Sequence, residues 1–310
     1  MSERLRLWFL VGPTASGKSA VGVEVAERLG AEILSLDSMA VYRDIDIATA
    51  KPPPELRRRV PHHLLDLVGP HEAFSTGRYL EAAHQAVADI AARGKQPLFV
   101  GGTALYLKAL TEGFFEGPEA NWEIRTRLKA EARRLGTPAL HQRLAQVDPQ
   151  TAAAVHPNDL RRIVRALEVY EITGRPVSQV RTQFGSPSER YHCVVAGIRR
   201  DRRDLHERIN RRVDEMFAAG LVEEVRSLLA RPEGVSHAVR QFVGFEEVAA
   251  ALRGELSVAA ARERIKARTR QFAKRQLTWF RKFPQIRWVD AGPGASVAEL
   301  AERVALALEG

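Results

Sequence analysis

The sequence predicts an α/β fold, a parallel sheet flanked by helices, with an all-helical segment inserted into it. Three observations predict this. Short apolar runs alternate with stretches of helical periodicity over residues 5–110 and again after residue 190. A glycine-rich turn, Gly12-Pro13-Thr14-Ala15-Ser16-Gly17-Lys18-Ser19, joins the first apolar run to the first helical stretch. Residues 118–183 carry helical periodicity, many arginines and no strand-like run. Strands that alternate with helices belong to parallel sheets covered on both faces. The domain reading is a P-loop-type core of residues 1–117 and 187–310, with a helical insertion of residues 118–186.

The elements follow in order. Residues 5–11 are a short apolar strand, and the helix after the turn carries Ala20, Val21, Val23, Val25, Ala26 and Leu29 at helical spacing. Residues 32–36 form a second strand that ends at Asp37-Ser38. Pro52-Pro53-Pro54 marks a loop. A helix is predicted over residues 79–92, stopped by Gly94. Residues 97–100 form a third strand, running into Gly101-Gly102-Thr103 and a helix over 104–110. After the insertion, Ser186-Pro187-Ser188 reads as a linker and residues 192–198 as a further strand. A long amphipathic helix then places Leu205, Ile209, Val213, Met216 and Phe217 on one side, and residues 286–289 read as a last strand. In sheets of this kind ligands sit beyond the carboxyl ends of the strands. Gly12, Asp37 and Gly101 all fall at that edge.

Composition narrows the function. Hydrophobic residues make up 45% and charged residues 27%, with no run apolar enough to span a bilayer. The first strand follows the initial MSERLR almost at once, so no leader is expected ahead of it. The expectation is a cytoplasmic protein with no membrane association, monomeric, and with no obligate protein partner. Cys193 is the only cysteine, which excludes an intramolecular disulfide and a multi-cysteine zinc site. It reads as a small apolar core residue. His62 and His63 are adjacent, a poor geometry for one shared metal, and read as loop or core residues.

The net charge of +9 is concentrated. Residues 261–283 hold Arg262, Arg264, Lys266, Arg268, Arg270, Lys274, Arg275, Arg281 and Lys282 against Glu263 alone. The rest of the chain is therefore near neutral. Aromatics Phe272, Trp279, Phe280 and Phe283 are interleaved with these cations. A basic segment with aromatics and few acidic partners at helical spacing is suited to a polyanion rather than to a merely solvated face.

Residues 12–19 fit G-x-x-x-x-G-K-[ST] without a mismatch, between a strand and a helix. Glycine lets the backbone N–H groups converge on phosphate oxygens, Lys18 adds a compact positive charge, and the Ser19 hydroxyl at the helix start can hold Mg²⁺. The whole loop, Gly12, Pro13, Thr14, Ala15, Ser16, Gly17, Lys18 and Ser19, is the candidate diphosphate site. ATP, another nucleotide and an isoprenoid diphosphate present it with the same anionic face. A nucleotide-hydrolysing P-loop protein also needs an acid at the end of an apolar strand, and Asp37 is the candidate. From its position Asp37 is a metal ligand, a general base, or a helix N-cap.

The ordered motifs extend further. Gly12-Pro-Thr-Ala-Ser-Gly-Lys-Ser19, Asp37-Ser-Met-Ala-Val-Tyr42 and Ala48-Thr-Ala-Lys-Pro52 are followed by His62-His-Leu-Leu-Asp66 and Gly101-Gly-Thr-Ala-Leu-Tyr106. Then come His156-Pro-Asn-Asp159, Arg165-Ala-Leu-Glu168, Val243-Gly-Phe245 and Arg270-Gln-Phe-Ala-Lys-Arg-Gln-Leu-Thr-Trp279. Together they resemble the bacterial tRNA dimethylallyltransferases, the IPP transferase family, across nearly the whole chain. The resemblance implies a P-loop fold reused for prenyl transfer, with dimethylallyl diphosphate in the loop, Mg²⁺ assisting, and the anticodon stem-loop of tRNA against the insertion. The acceptor it implies is the N6 amine of the adenosine 3′ of the anticodon in tRNAs that read codons starting with U. Asp37 is then the base, with Thr103 and Lys18 as the other catalytic residues. Implied tRNA contacts fall at Asp37, Ser38, Met39, Ala40, Thr103 and Arg125, at Arg161, Arg162, Ile163, Val164 and Arg165, and at Arg240, Gln241, Phe242, Val243, Gly244 and Phe245. This chain departs from the family pattern where Ser19 replaces a usual Thr and Phe245 a usual Tyr, the second losing a phenol.

The chemistry is consistent with these residue types. An exocyclic adenine amine must lose a proton as it forms a bond to carbon, and a carboxylate in reach is a suitable acceptor. Charge builds on the leaving diphosphate, which the loop N–H groups, Lys18 and Mg²⁺ are placed to meet. Arg208 and Arg211 are candidates to close over the diphosphate. Arg161 and Arg165, four apart on a predicted helix, share a face and suit a phosphate backbone. Two other enzymes fit the loop: an adenylate isopentenyltransferase acting on free nucleotide, and a P-loop small-molecule kinase. A non-catalytic RNA-binding protein is a third reading. The focused basic segment and the intact Lys18 and Asp37 separate the first assignment from all three.

Overall fold

A computed structural model of the chain describes residues 4–113, 117–180, 190–292 and 294–310. Its six strands are β1 (Leu5–Val11), β2 (Ala31–Leu36), β3 (His62–His63), β4 (Gln96–Gly101), β5 (Tyr191–Arg200) and β6 (Arg287–Ala291). They form one all-parallel sheet in the order β3-β2-β4-β1-β5-β6. Five of these strands are the apolar runs expected from sequence. The sixth, β3, is made by His62 and His63. His63 Nε2 lies 2.7 Å from Glu32 Oε2 and His62 Nδ1 lies 2.8 Å from Val60 O, so the two rings take separate partners.

The helices are α1 (Lys18–Leu29), α2 (Pro54–Arg59), α3 (Thr76–Ala92), α4 (Ala104–Glu112), α5 (Trp122–Leu135), α6 (Thr137–Val147), α7 (Pro149–Ala154), α8 (Leu160–Thr173) and α9 (Val177–Val180). They continue with α10 (Arg202–Ala218), α11 (Leu221–Leu229), α12 (His237–Arg240), α13 (Phe245–Leu252), α14 (Val258–Phe280) and α15 (Val297–Glu309). The proline run is only partly loop, because Pro54 occupies the first position of α2, where its missing N–H costs nothing.

Side-chain alternation along β1 explains how the sheet is covered. Trp8 and Leu10 face α1 and α15 in one core with Val21, Val25, Ile33, Leu98, Val194, Ile198, Leu300 and Val304. Leu7 and Phe9 point to the other face, also fully buried, where Phe9 stacks on Phe99 with ring centroids 4.9 Å apart. Both faces are covered, so the strands read as continuous apolar runs.

The chain divides into two compact units, residues 1–111 with 188–310, and residues 112–187. The smaller unit has its own core, in which Leu128, Leu140, Leu144, Ile163, Val164 and Leu167 pack together from α5, α6 and α8. The predicted linker Ser186-Pro187-Ser188 lies outside the described residues.

Candidate active site

The four central strands, β2, β4, β1 and β5, end side by side. The carboxyl end of β1 delivers the phosphate loop, β2 delivers Asp37, β4 delivers Gly102 and Thr103, and β5 delivers Arg200. The loop is held tightly at its start. A Cβ on Gly12 would stand 2.8 Å from Ile198 O of β5, so glycine is required there. Ser16 N–H donates to Pro13 O at 3.3 Å and Val21 N–H to Gly17 O at 3.2 Å, closing the turn onto α1. Ala15 takes a left-handed φ of 63° without being glycine, a local strain of the kind that persists at functional sites.

Four cations surround this loop. Arg200 Nε donates to Ser16 O at 2.8 Å, Arg208 Nε to Ala15 O at 3.0 Å, and Arg212 Nη1 to Thr14 Oγ1 at 3.2 Å. Each guanidinium uses one or two donors on the loop or a neighbour and keeps others for a ligand. Guanidinium ends of Arg200 and Arg208 lie within 3.8 Å of where a Cβ on Gly17 would stand. Lys18 Nζ donates to Pro13 O at 2.8 Å. Burial, then the nearby Arg212 charge, holds the Lys18 ammonium down at about 7, while Asp37 acts in the opposite direction. Of the two arginines expected near the diphosphate, Arg208 lies against the loop. Arg211 points outward and pairs with Glu215 at 3.9 Å, so Arg212 takes the place expected of it. The signal was available in the i, i+4 spacing from Arg208, on a helix whose core face is marked by Leu205 and Ile209.

Asp37 is half-buried at the end of β2. Its Oδ1 accepts from Met39 N–H at 2.8 Å and Ala40 N–H at 3.4 Å. No helix follows it; residues 38–44 are bends and turns around a single bridge from Tyr42 to Val68, so the helix N-cap reading gives way to a capped turn. Asp37 Oδ2 makes no hydrogen bond to the described residues, which leaves one carboxylate oxygen for a ligand. Thr103 Oγ1 accepts from Ser38 N–H at 3.1 Å, and Gly102 N–H and Thr103 N–H both donate to Leu36 O, at 3.1 and 3.0 Å. Thr103 thus ties the end of β4 to the turn that carries Asp37. Behind this turn, Tyr79 and Tyr106 stack at 3.6 Å, and Tyr79 donates to Ser35 O at 2.8 Å. Burial, followed by the Asp37 charge, raises the Tyr106 phenol.

Gln276 of α14 is a site residue that sequence reasoning missed. Its side chain accepts from Thr14 N–H at 2.8 Å and donates to Gly102 O at 3.0 Å. The rest of α14 carries the basic segment. Lys266 pairs with Asp214 at 2.8 Å, Arg268 pairs with Glu247, and Arg270 donates to Asn210 at 2.6 Å. Acidic partners that are rare in the local sequence are thus supplied by α10 and α13. Arg264, Lys274, Arg275, Arg281 and Lys282 are exposed and have no carboxylate partner among the described residues. Arg275 lies over Phe272 at 5.9 Å and Lys282 over Trp279 at 5.5 Å, and both rings are partly exposed.

The remaining candidates divide by burial. Arg240 and Gln241 are exposed at the end of α12, and Val243 is half-buried. Phe242 and Phe245 are core residues packed edge to face at 5.5 Å, and Gly244 turns between them with φ 122°. A phenol at position 245 would also be buried. In the insertion, Arg161 and Arg162 are exposed, whereas Ile163 and Val164 pack into that unit's core. The side chains of Phe242, Phe245, Ile163 and Val164 therefore face protein rather than a ligand. Arg125 and Arg165 do not stand free either. Both bind Glu168, a wholly buried carboxylate, at 2.8 and 2.7 Å.

Hydroxyl oxygens at the loop would suit Mg²⁺. Ser19 is exposed, and Ser16 Oγ is buried without a hydrogen-bond partner. Hard oxygen donors of this kind fit an ion that keeps several waters and completes its shell with phosphate. No group of three or more His, Cys, Asp or Glu side chains that could hold a metal occurs among the described residues. Cys193 is half-buried, and burial pushes its thiol up to about 12, as expected of an inert core cysteine. No helix among the described residues is long and apolar enough to cross a membrane.

Comparison with known proteins places the chain among relatives. The family described as IPP transferase matches residues 40–283. The tRNA dimethylallyltransferase of Geobacter sulfurreducens is 48% identical over 93% of both chains. That of Symbiobacterium thermophilum is 49% identical over 94% of this chain and 92% of its own. Among solved structures, the tRNA isopentenylpyrophosphate transferase of Bacillus halodurans matches with a TM-score of 0.70 and 38% identity, covering 98% of this chain and 97% of that one. A eukaryotic dimethylallyltransferase acting on tRNA matches with a TM-score of 0.82 and 28% identity, over 97% and 78%.

Proposed function

The chain belongs to the IPP transferase family, and from that premise we propose that it is a prenyltransferase that moves a dimethylallyl group from dimethylallyl diphosphate to tRNA. The acceptor is the N6 amine of the adenosine 3′ of the anticodon in tRNAs reading codons that start with U, and diphosphate is released. The observation that carries this reading is the meeting, at one sheet edge, of a cationic phosphate loop and a carboxylate with an unengaged oxygen. A phosphate loop alone would serve a kinase equally well. A base beside it serves an acceptor that must lose a proton, amine or hydroxyl, and the family match together with the exposed cations of α14 favours prenyl transfer to tRNA over phosphoryl transfer.

The residues divide the work as follows. Lys18, Arg208 and Arg212, with the loop N–H groups, hold the diphosphate and meet the charge that grows on it as the carbon–oxygen bond breaks. The amine lone pair forms the new bond to the allylic carbon, the carbon–oxygen electron pair leaves with the diphosphate, and Asp37 Oδ2 takes the N6 proton. Ser19 would hold Mg²⁺, which would supply charge neutralisation at the leaving group. Thr103, which accepts from Ser38 N–H, keeps its hydroxyl proton for the phosphate or the base. The acceptor base lies stacked in an RNA loop and must be extruded, at a cost of a few kcal/mol. Contacts from Lys274, Arg275 and the exposed end of α12, and from Arg161 and Arg162 of the insertion, offset that cost. With tRNA as acceptor, the place of reaction is the cytoplasm.

Transfer of labelled dimethylallyl diphosphate tests the reading with three acceptors: a tRNA with adenosine 3′ of its anticodon, the same tRNA with guanosine there, and free AMP. Label on the first alone is expected. Label on AMP would move the assignment to an adenylate isopentenyltransferase, and label nowhere, with Mg²⁺ present and the protein folded, would overturn prenyl transfer.

A further inference from the structure

Gln276 is buried, 7% exposed, on a helix whose other polar side chains largely face outward. Its amide spans two separate parts of the site. Oε1 takes the Thr14 N–H of the phosphate loop at 2.8 Å, and Nε2 donates to Gly102 O at 3.0 Å. A primary amide supplies donor and acceptor at once from one side chain, which neither a carboxylate nor an ammonium does. The site is fitted around it, since a Cβ on Gly102 would come within 2.3 Å of Nε2. From Gly102 the connection to Asp37 is short. Gly102 N–H and Thr103 N–H both bond Leu36 O, the carbonyl immediately before Asp37, and Ser38 N–H bonds Thr103 Oγ1. The helix is also seated on the loop. Ala273 and Leu277, on the same face as Gln276, pack with Ala15 of the loop and with Leu205 and Ile209 of α10.

We propose that Gln276 is a positioning residue for the transfer reaction, holding the phosphate loop against the Gly102–Thr103 turn and so setting the distance between the diphosphate and Asp37. The inference rests on the function proposed above, in which the two must be in register for the amine to attack while its proton leaves. A misplacement of about 1 Å between reacting groups costs on the order of 100-fold in rate. Both polar atoms of the Gln276 amide are taken up by protein partners, so its loss is expected to act on turnover and not on tRNA affinity. It also ties the helix bearing the exposed RNA-facing cations to the loop that holds the other substrate.

The test compares wild type with Gln276→Met, which keeps length and volume and removes both hydrogen bonds. Turnover under single-turnover conditions, KM for tRNA and thermal unfolding are all measured. The expected result is a fall in kcat of about 100-fold, with KM for tRNA within threefold and unfolding still cooperative. Equal kcat in the two proteins overturns the inference, and so does a rate loss that only follows a lost folded fraction. If Gln276→Met does not fold, Gln276→Glu takes its place, keeping the acceptor for Thr14 N–H and losing the donor to Gly102. A lowered kcat at unchanged KM then supports the inference, and an unchanged kcat overturns it. A wild-type enzyme that transfers no label would instead sink the proposed function itself.

Discussion

Arg200, Arg208 and Arg212 on one side, and Lys274, Arg275, Arg281 and Lys282 on the other, are two cationic sets in the same unit, held in opposite ways. The first set is fixed to loop oxygens at 2.8 to 3.2 Å, and Arg200 is all but buried. The second is exposed, with aromatic rings beside two of its members and no carboxylate partner among the described residues. Guanidiniums fixed in place act strongly on a small anion and need no rearrangement when charge develops. Exposed cations act on an extended polyanion through counterion release, and salt screens them. The sign of the charge is shared, and its mobility and hydration set whether a cation suits a compact or an extended anion.

The comparison breaks most sharply at the fixed end. Lys18→Ala is expected to lower kcat/KM by roughly 1,000-fold or more, and Asp37→Asn to lower turnover by about 100- to 10,000-fold at nearly unchanged tRNA affinity. Matching losses of turnover and tRNA affinity in Asp37→Asn would remove its assignment as the base. Arg212→Ala should cost about 100-fold in kcat/KM for the diphosphate. That loss should hardly vary between 50 and 200 mM salt, because the group is largely shielded; a steep salt dependence would place it with the exposed set.

Lys18 adds a pH dependence. Its amine is held at about 7 in the ligand-free protein, so it is charged below that pH and increasingly neutral above it. A bound diphosphate restores the charge, and binding above pH 7 therefore takes up a proton. Affinity is expected to fall roughly fivefold from pH 7 to 8 through this group. Calorimetry in two buffers of different ionisation enthalpy reads the uptake directly, and its persistence in Lys18→Arg would show that another group is responsible. Smallest are the single changes Lys274→Ala and Arg275→Ala. Each should weaken tRNA binding a few-fold and lower the salt slope by about 1, leaving kcat at saturating tRNA intact. A fall in kcat without a change of slope would move these residues into the fixed set.

Much of this was legible in the sequence because it is local. Apolar runs mark β1, β2, β4, β5 and β6, and the phosphate loop is a contiguous motif with Asp37 one strand away. Other features depend on distant partners. β3 is two histidines with no periodicity to read, and its place beside β2 is set by main-chain pairing. Gln276 reads as one polar residue in a basic helix until the fold brings it to Thr14 and Gly102. Arg200 lies two residues past the apolar run of 192–198, where β5 continues through polar residues. Burial of Ile163, Val164, Phe242 and Phe245 shows the converse, since a contiguous motif does not state which of its side chains face a ligand and which face the core.

The strand order has a consequence for synthesis. β1 sits between β4 and β5, yet β4 ends at Gly101 and β5 begins at Tyr191, after the entire helical insertion. At ~5–20 residues per second, a ribosome needs on the order of ten seconds to make that stretch. Throughout it, the apolar segment LRLWFLV stands as an unpaired sheet edge, a template for intermolecular pairing. The nascent chain is thus most exposed to aggregation while the insertion is being made, and a delay there lengthens the life of that edge.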